Sequence, residues 1–135
     1  MPLCFRGIEG AVVVYGVDDD DSFYSANRWI YELEQNTDVM PPFIICGNKC
    51  DLKRHNYISE RDAERFAMHY NCPFFLTSAK DGTNINKAFA KLCDMMIKAR
   101  FVFLKNEFIF LICNFMFVFH SKLKKLDNQT IQVET

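Results

Sequence analysis

A chain of 135 residues is long enough for one domain with a single core. Half of its residues are hydrophobic and 24% are charged, a composition that excludes an intrinsically disordered protein. The net charge of -1 excludes a broadly basic surface, so nucleic acid is not expected as a partner.

The first predicted element is a buried strand. Residues 10–17, "GAVVVYGV", are apolar on both faces, as strands of parallel sheets are. The acidic run 18–21 follows, and we expect it to cap a helix because carboxylates are favourable at helix N-termini. A helix is then predicted over residues 22–35. Its apolar stripe consists of Phe23, Ala26, Ile30 and Leu33, with Trp29 lining its flank.

A second strand and a second helix follow. Residues 43–46 form a predicted buried strand, which is introduced by two prolines. Polar residues come directly after it in "GNKCDL", residues 47–52. The second helix is predicted to begin after Ser59, whose spacing from Asp62 resembles a capping box. Its apolar stripe consists of Ala63, Phe66, Ala67 and Tyr70.

The third strand is predicted over residues 72–79, "CPFFLTSA". A turn, "DGTN", leads to a third helix, whose apolar stripe consists of Ile85, Ala88, Phe89, Leu92 and Met96. The alternation of strands and helices predicts an α/β fold, with a mostly parallel sheet and helices on both of its faces. Ligands of such sheets bind at the carboxyl ends of the strands, where two polar loops are expected.

The loop after the second strand has the groups needed to read a guanine ring. The Asp51 carboxylate can accept hydrogen bonds from the guanine N1–H and the exocyclic amine together. Adenine would leave that carboxylate unpaired and would therefore be rejected. The methylene stem of Lys49 can lie over the ring, and Asn48 can tie the loop to its neighbour.

The loop after the third strand, "TSAK", complements the first. The Ala79 N–H can donate to the guanine carbonyl, because a small side chain lets the backbone approach the base. Ser78 can brace the Asp51 carboxylate, and the stem of Lys80 can cover the ring. Each loop alone is more often an ordinary solvated turn, whereas their joint occurrence on successive strands favours a nucleotide site.

These motifs carry a resemblance to a known family. "GNKCDL" with "TSAK" resembles the guanine-binding motifs of Ras-superfamily small GTPases, and "FRGIEGAVVVYGVDDDDSF" and "NRWIYELEQ" are similar to the Rab branch. The resemblance implies a partial G domain over residues 1–100, with a three-layer, P-loop NTPase-like α/β fold. It implies binding of GTP or GDP, with the guanine and ribose contacted by Asn48, Lys49, Asp51, Ser78, Ala79 and Lys80.

The motifs of phosphoryl transfer are not found. No GxxxxGK[ST] occurs in the 135 residues, nor do the two switch segments of the family. We therefore predict no catalytic residue and no metal ligand here, although the family hydrolyses GTP with Mg²⁺. Two functions stay open. One is a Rab-like chain of vesicle traffic that keeps base recognition, and the other is a non-catalytic interaction protein derived from a truncated Rab gene.

The strand at residues 11–15 is expected to be exposed along one side. In the family, the strand that bears the phosphate loop pairs beside it. Without that neighbour it becomes a sheet edge with unpaired backbone groups and apolar faces. We therefore expect a marginal fold unless this edge is covered.

Residues 101–121 are rich in phenylalanine and repeat in sevens as "FVFLKNE FIFLICN FMFVFHS". Three interpretations are open, in order of preference: read-through sequence, a helix that continues the third helix with a Phe and Leu seam, and a membrane anchor. As a helix, the uninterrupted apolar run would span about 18 Å, against ~30 Å for a hydrocarbon core. A polar tail is predicted over residues 122–135.

The cellular setting is predicted from the cysteines and the family. The six cysteines form no CxxC pair, so free thiols in a reducing cytosol are expected. The family implies Rab effectors or regulators as partners and association with endomembranes. Because the last cysteine is Cys113, no C-terminal prenylation signal is expected, and membrane association is left open.

Overall fold

The computed structural model describes residues 5–52 and 58–130, with side chains described as far as residue 107. The predicted alternation of strands and helices is confirmed. In chain order the elements are β1 (Ala11–Gly16), α1 (Asp20–Gln35), β2 (Phe43–Asn48), α2 (Glu60–His69), β3 (Phe74–Leu76) and α3 (Ile85–Thr130). Residues 131–135 of the predicted polar tail lie outside the described residues.

The three strands form a parallel sheet in the order β1-β2-β3. Gly16 at the end of β1 lies opposite Asn48 at the end of β2, and Gly47 lies opposite Leu76 at the end of β3. The carboxyl ends of all three strands therefore meet at one edge of the sheet. In the described part of the chain, β1 is the outermost strand on its side.

Helices cover both faces of this sheet. Because successive side chains of a strand alternate between its faces, β2 sends Ile45 to one face and Ile44 to the other. Ile45 belongs to a core cluster with residues of α1 and α2, such as Ile30 and Ala63. Ile44 belongs to a second cluster with Leu92 of α3. The three-layer α/β architecture expected from the sequence is thus confirmed.

α2 begins after its predicted cap, whereas α1 begins at Asp20, two residues before its predicted start and inside the acidic run expected to cap it. Asp19 is the N-cap of α1, and its carboxylate accepts a hydrogen bond from the Ser22 N–H at 3.1 Å. Ser59 is the N-cap of α2 and accepts from the Asp62 N–H at 3.1 Å. The Ser59 hydroxyl also donates to the Asp62 carboxylate at 2.6 Å, so this box closes between two side chains.

The predicted third strand was too long. β3 ends at Leu76, because the backbone turns where the Ser78 N–H donates to the Thr83 carbonyl at 3.1 Å. The stripe of the third helix also needs correction. Ala88 and Leu92 are buried as predicted, but Phe89 is 52% exposed, and Met95 packs against this core cluster instead.

The helix α3 continues through the phenylalanine-rich segment to Thr130. The chain divides into two compact units, Met1–Ile97 and Lys98–Thr135. The helical backbone of the segment agrees with the helix interpretation. The seam of Phe and Leu side chains stays a prediction, because the side chains from residue 108 lie outside the described residues. In the described residues no helix is both long enough and apolar enough to cross a membrane.

Candidate functional site

The two polar loops predicted to form a site lie side by side. β2 ends at Asn48, and the next residues form a turn in which the Leu52 N–H donates to the Lys49 carbonyl at 3.0 Å. Lys49 itself has a φ of 69°, a left-handed conformation that is uncommon outside glycine. The register of β2 with β3 places this turn next to the loop that begins at Thr77.

A close approach inside the sheet explains why residue 47 is a glycine. A Cβ atom at Gly47 would lie 2.7 Å from the hydroxyl oxygen of Tyr15 and 3.1 Å from Leu76 Cδ2. Real contacts of a Cβ atom are longer, so only glycine fits. Burial raises the pKa of Tyr15 above its ordinary value of 10.0, and the hydroxyl under the site therefore stays protonated at neutral pH.

The most important contact joins Ser78 to Asp51. The Ser78 hydroxyl donates a hydrogen bond of 2.6 Å to Asp51 Oδ1. Ser78 is fully buried, so its hydroxyl has little freedom to turn away. Its oxygen also accepts from the Asp81 N–H at 3.4 Å. The prediction that Ser78 braces the Asp51 carboxylate is confirmed as geometry, since one oxygen of Asp51 is held in place from the neighbouring loop.

Backbone hydrogen bonds fasten the two loops together around this contact. The Thr77 N–H donates to the Gly47 carbonyl at 2.9 Å, and the Cys50 N–H donates to the Thr77 carbonyl at 3.0 Å. Within the second loop, the Gly82 N–H donates to the Ser78 carbonyl at 2.9 Å. Because these bonds continue the ladder of β2 and β3 beyond its last residues, the loops keep a fixed relative position.

Asn48 ties the first loop to the second, as predicted. Its side-chain oxygen accepts a hydrogen bond from the Ala79 N–H at 3.0 Å. The Ala79 N–H is the donor that the sequence analysis reserves for a guanine carbonyl. In the structure this donor is engaged by Asn48, so a base would have to share it or take it over.

The far side of the second loop is set by Asp81 and Thr83. The Thr83 hydroxyl and the Thr83 N–H, the latter at 2.9 Å, both donate to one oxygen of the Asp81 carboxylate. These bonds, that of the hydroxyl first, lower the pKa of Asp81 below its ordinary value of 3.8. Asp81 is therefore a carboxylate at neutral pH, and Lys80 beside it is exposed.

Cys50 lies inside the first loop, between the functional candidates. Its pKa is raised above 9.0, chiefly by burial and further by the negative charges of Asp81 and Asp51. The Cys50 thiol therefore stays protonated and uncharged at neutral pH.

One neighbour of the site was missed by sequence reasoning. Lys49 Nζ lies 3.0 Å from Asp18 Oδ1 and 3.2 Å from Asp18 Oδ2, across the carboxyl ends of β1 and β2. The acidic run was interpreted as a helix cap, a role that Asp19 alone fills at the N-cap position. The available signal was the position of Asp18 two residues after a strand that pairs with β2.

In the part of the chain that the structure describes, no three His, Cys, Asp or Glu side chains come together as a metal site would need. The expectation that this chain has no metal ligand stays a prediction.

Comparison with known proteins agrees with the resemblance seen in the motifs. The sequence profile of the Ras family matches residues 1–98. The chain is 35% identical over 98 residues to the Ras-related protein Rab-21 of Geodia cydonium, an alignment that covers 73% of this chain and 43% of the relative. It is 33% identical over 95 residues to Rab-13 of Rattus norvegicus, which covers 70% of this chain and 47% of the relative.

A third relative gives the same extent. The chain is 35% identical over 95 residues to Rab-27A of Canis lupus familiaris, with 70% of this chain and 43% of the relative covered. The chain therefore spans somewhat less than half the length of these curated relatives.

Proposed function

The chain belongs to the Ras family and is similar to its Rab proteins, and on that premise we propose that its two polar loops bind the guanine base of GTP or GDP. Asp51 accepts from the guanine N1–H and the exocyclic amine. The stems of Lys49 and Lys80 cover the faces of the ring, and the Ala79 N–H donates to its carbonyl. Asn48 and Ser78 hold these groups in position.

The hydrogen bond of 2.6 Å between Ser78 and Asp51 is the observation that carries this proposal. An ionised carboxylate offers about four lone-pair sites, and Ser78 uses one of them. The others stay available for the two adjacent donors of guanine. Because the carboxylate is oriented before the ligand arrives, less conformational entropy is lost on binding.

The bond between Ala79 and Asn48 fits the same proposal as a resting contact. A guanine carbonyl would compete with the Asn48 oxygen for the Ala79 N–H, which is exposed enough to be reached. The exchange costs little, because one neutral acceptor replaces another.

We assign these residues to base recognition and none of them to hydrolysis. The 135 residues contain no GxxxxGK[ST], the motif that cradles the phosphates. At the level of the cell, we extend the family's role to this chain: a guanine-nucleotide-binding protein of vesicle traffic, with Rab effectors and regulators as partners. This places it in the cytoplasm and at endomembranes.

The test uses four nucleoside 5′-monophosphates and isothermal titration calorimetry. GMP, IMP, AMP and XMP share one phosphate, so differences among them report the base. A ligand of this size held by the base loops should bind the wild-type chain with a dissociation constant on the order of 0.1–1 mM. IMP should bind more weakly because it lacks the amine, and AMP should not bind.

The matched variant is Asp51→Asn, which keeps the shape of the side chain. In this variant the side-chain NH₂ would face the guanine amine, so two donors would meet without an acceptor. GMP binding should therefore fall at least tenfold. The same amide can donate to the carbonyl of XMP, so XMP binding should rise. Failure of all four ligands to bind at millimolar concentration, or equal affinities in both proteins, would refute base recognition and favour the interaction-protein alternative.

A further inference from the structure

We infer, on the basis of the proposed function, that Asp18 is a positioning residue for Lys49 and makes the β1–α1 turn part of the base site. Asp18 and Lys49 are 31 residues apart in the chain and form an ion pair with Nζ–O distances of 3.0 and 3.2 Å. Asp18 lies in the turn after β1, and Lys49 lies in the loop after β2. Their pairing therefore links two separate segments at the carboxyl end of the sheet.

The backbone conformation of Lys49 directs its side chain toward Asp18. Lys49 has a φ of 69°, and the turn that holds it is closed by the Leu52 N–H on the Lys49 carbonyl at 3.0 Å. A left-handed conformation is unfavourable for a residue with a side chain, so surrounding contacts must maintain it. From this backbone the ammonium group reaches the Asp18 carboxylate.

The acidic run divides its roles between adjacent residues. The carboxylate of Asp19 accepts from the Ser22 N–H and caps α1, so it is already engaged. The Ser22 hydroxyl in turn accepts from the Gly16 N–H at 2.9 Å, which fixes the turn to the end of β1. Asp18, the first acidic residue after β1, forms the ion pair with Lys49.

Gly16 provides the space that the pair needs. A Cβ atom at this position would lie 2.8 Å from Asp18 Oδ1 and 3.6 Å from Lys49 Nζ. The first distance is shorter than real Cβ contacts, so the Asp18 carboxylate would have to move away. Gly16→Ala should therefore disturb the ion pair without removing either charge.

The pair should prepare Lys49 for the base. About half of the Lys49 side chain is exposed, and a lysine this exposed would otherwise sample many rotamers. Holding its ammonium fixes the stem that covers the ring, so less entropy is lost when the base binds. About half of the Lys49 side chain and about a third of the Asp18 side chain face solvent. Salt should therefore screen the attraction between them.

The first measurement needs no ligand. In Asp18→Ala, the Hε resonances of Lys49, followed by NMR of the full chain, should merge as the ammonium becomes free to reorient. Asp18→Asn keeps a neutral acceptor and should give an intermediate spectrum. Asp20→Ala removes the same charge from the first turn of α1 and should leave the Lys49 signals unchanged. Unaltered Lys49 signals in Asp18→Ala would overturn the inference.

The second measurement is GMP affinity by calorimetry. Asp18→Ala and Gly16→Ala should each weaken GMP binding about three- to fivefold at low salt, and by less at high salt. Asp20→Ala should not weaken it, which separates positioning from a general change in charge. Wild-type affinity in Asp18→Ala, together with a loss in Asp51→Asn, would refute the role of Asp18 and leave the base site standing. No GMP binding by the wild type would refute both.

Discussion

Two margins of the same sheet have opposite chemistry. At the carboxyl ends of β2 and β3, polar side chains and backbone groups of the two loops are hydrogen-bonded to one another. Along the outer side of β1, a groove of about 300 Å³ is lined by apolar groups: Phe5, Ile8, Ala11, Val12, Val13, Val14, Trp29 and Leu33. In the described residues no strand lies beside β1 on that side.

The two margins differ in whether their groups find partners within the described chain. Ser78 and Asp51 are hydrogen-bonded to one another, so the base loops can hold their shape using this chain alone. Val14 and Trp29 are each 54% exposed at the β1 side, so much of their apolar surface stays in contact with water. The expectation of an exposed β1 edge agrees with this part of the structure.

The largest test of this contrast replaces one residue of the central strand and one residue of the outer strand. Ile45 is fully buried at the centre of the sheet, and Ile45→Ala should lower the free energy of unfolding by about 3 kcal/mol through lost burial and a cavity. Val14→Ala, on the outer strand, should lower it by only about 0.5 kcal/mol. Urea denaturation followed by circular dichroism measures both.

Equal losses in the two variants would contradict the contrast. They would mean that Val14 is as well covered in solution as Ile45, and hence that the β1 side is occupied.

A smaller change should affect the base loops more selectively. Ser78→Ala removes the donor to Asp51 and leaves the carboxylate unrestrained. We expect a loss of about 1–2 kcal/mol in stability and about tenfold in GMP affinity. Ser59→Ala removes the N-cap of α2 at a cost of about 1 kcal/mol but should leave GMP affinity unchanged. Calorimetry and urea denaturation on the two variants give both quantities.

The pair of serine variants separates stability from function. Should Ser59→Ala reduce GMP affinity as much as Ser78→Ala does, the loss would reflect general destabilisation rather than the position of Asp51.

Local patterns were sufficient for the elements and for the main contact of the site. The apolar run of β2 and the polar residues after it mark where the strand ends, and the alternation of strands and helices requires parallel pairing. Parallel pairing then brings the loop of Asp51 beside the loop of Ser78. The contact between them could be expected because both residues follow adjacent strands at the same edge.

Other features depend on contacts that only the folded chain makes. β3 stops at Leu76 because the Ser78 N–H turns to the Thr83 carbonyl, a contact that begins the turn earlier than the predicted "DGTN". Phe89 fits the helical stripe by spacing, yet it is 52% exposed, whereas Met95 and Met96 pack against the core cluster of that face. The contact of Asp18 with Lys49 depends on the register of β1 against β2, which the sequence does not specify.

The most direct test of the central claim is the footprint of GMP on the amide NMR spectrum of the full chain. If the two loops form the base site, amide shifts should change at residues 48–51 and 77–82, with that of Ala79 among the largest because its donor changes partner. AMP at the same concentration should leave these amides in place. Shifts concentrated elsewhere, or identical responses to GMP and AMP, would contradict a guanine site between Asp51 and Ser78.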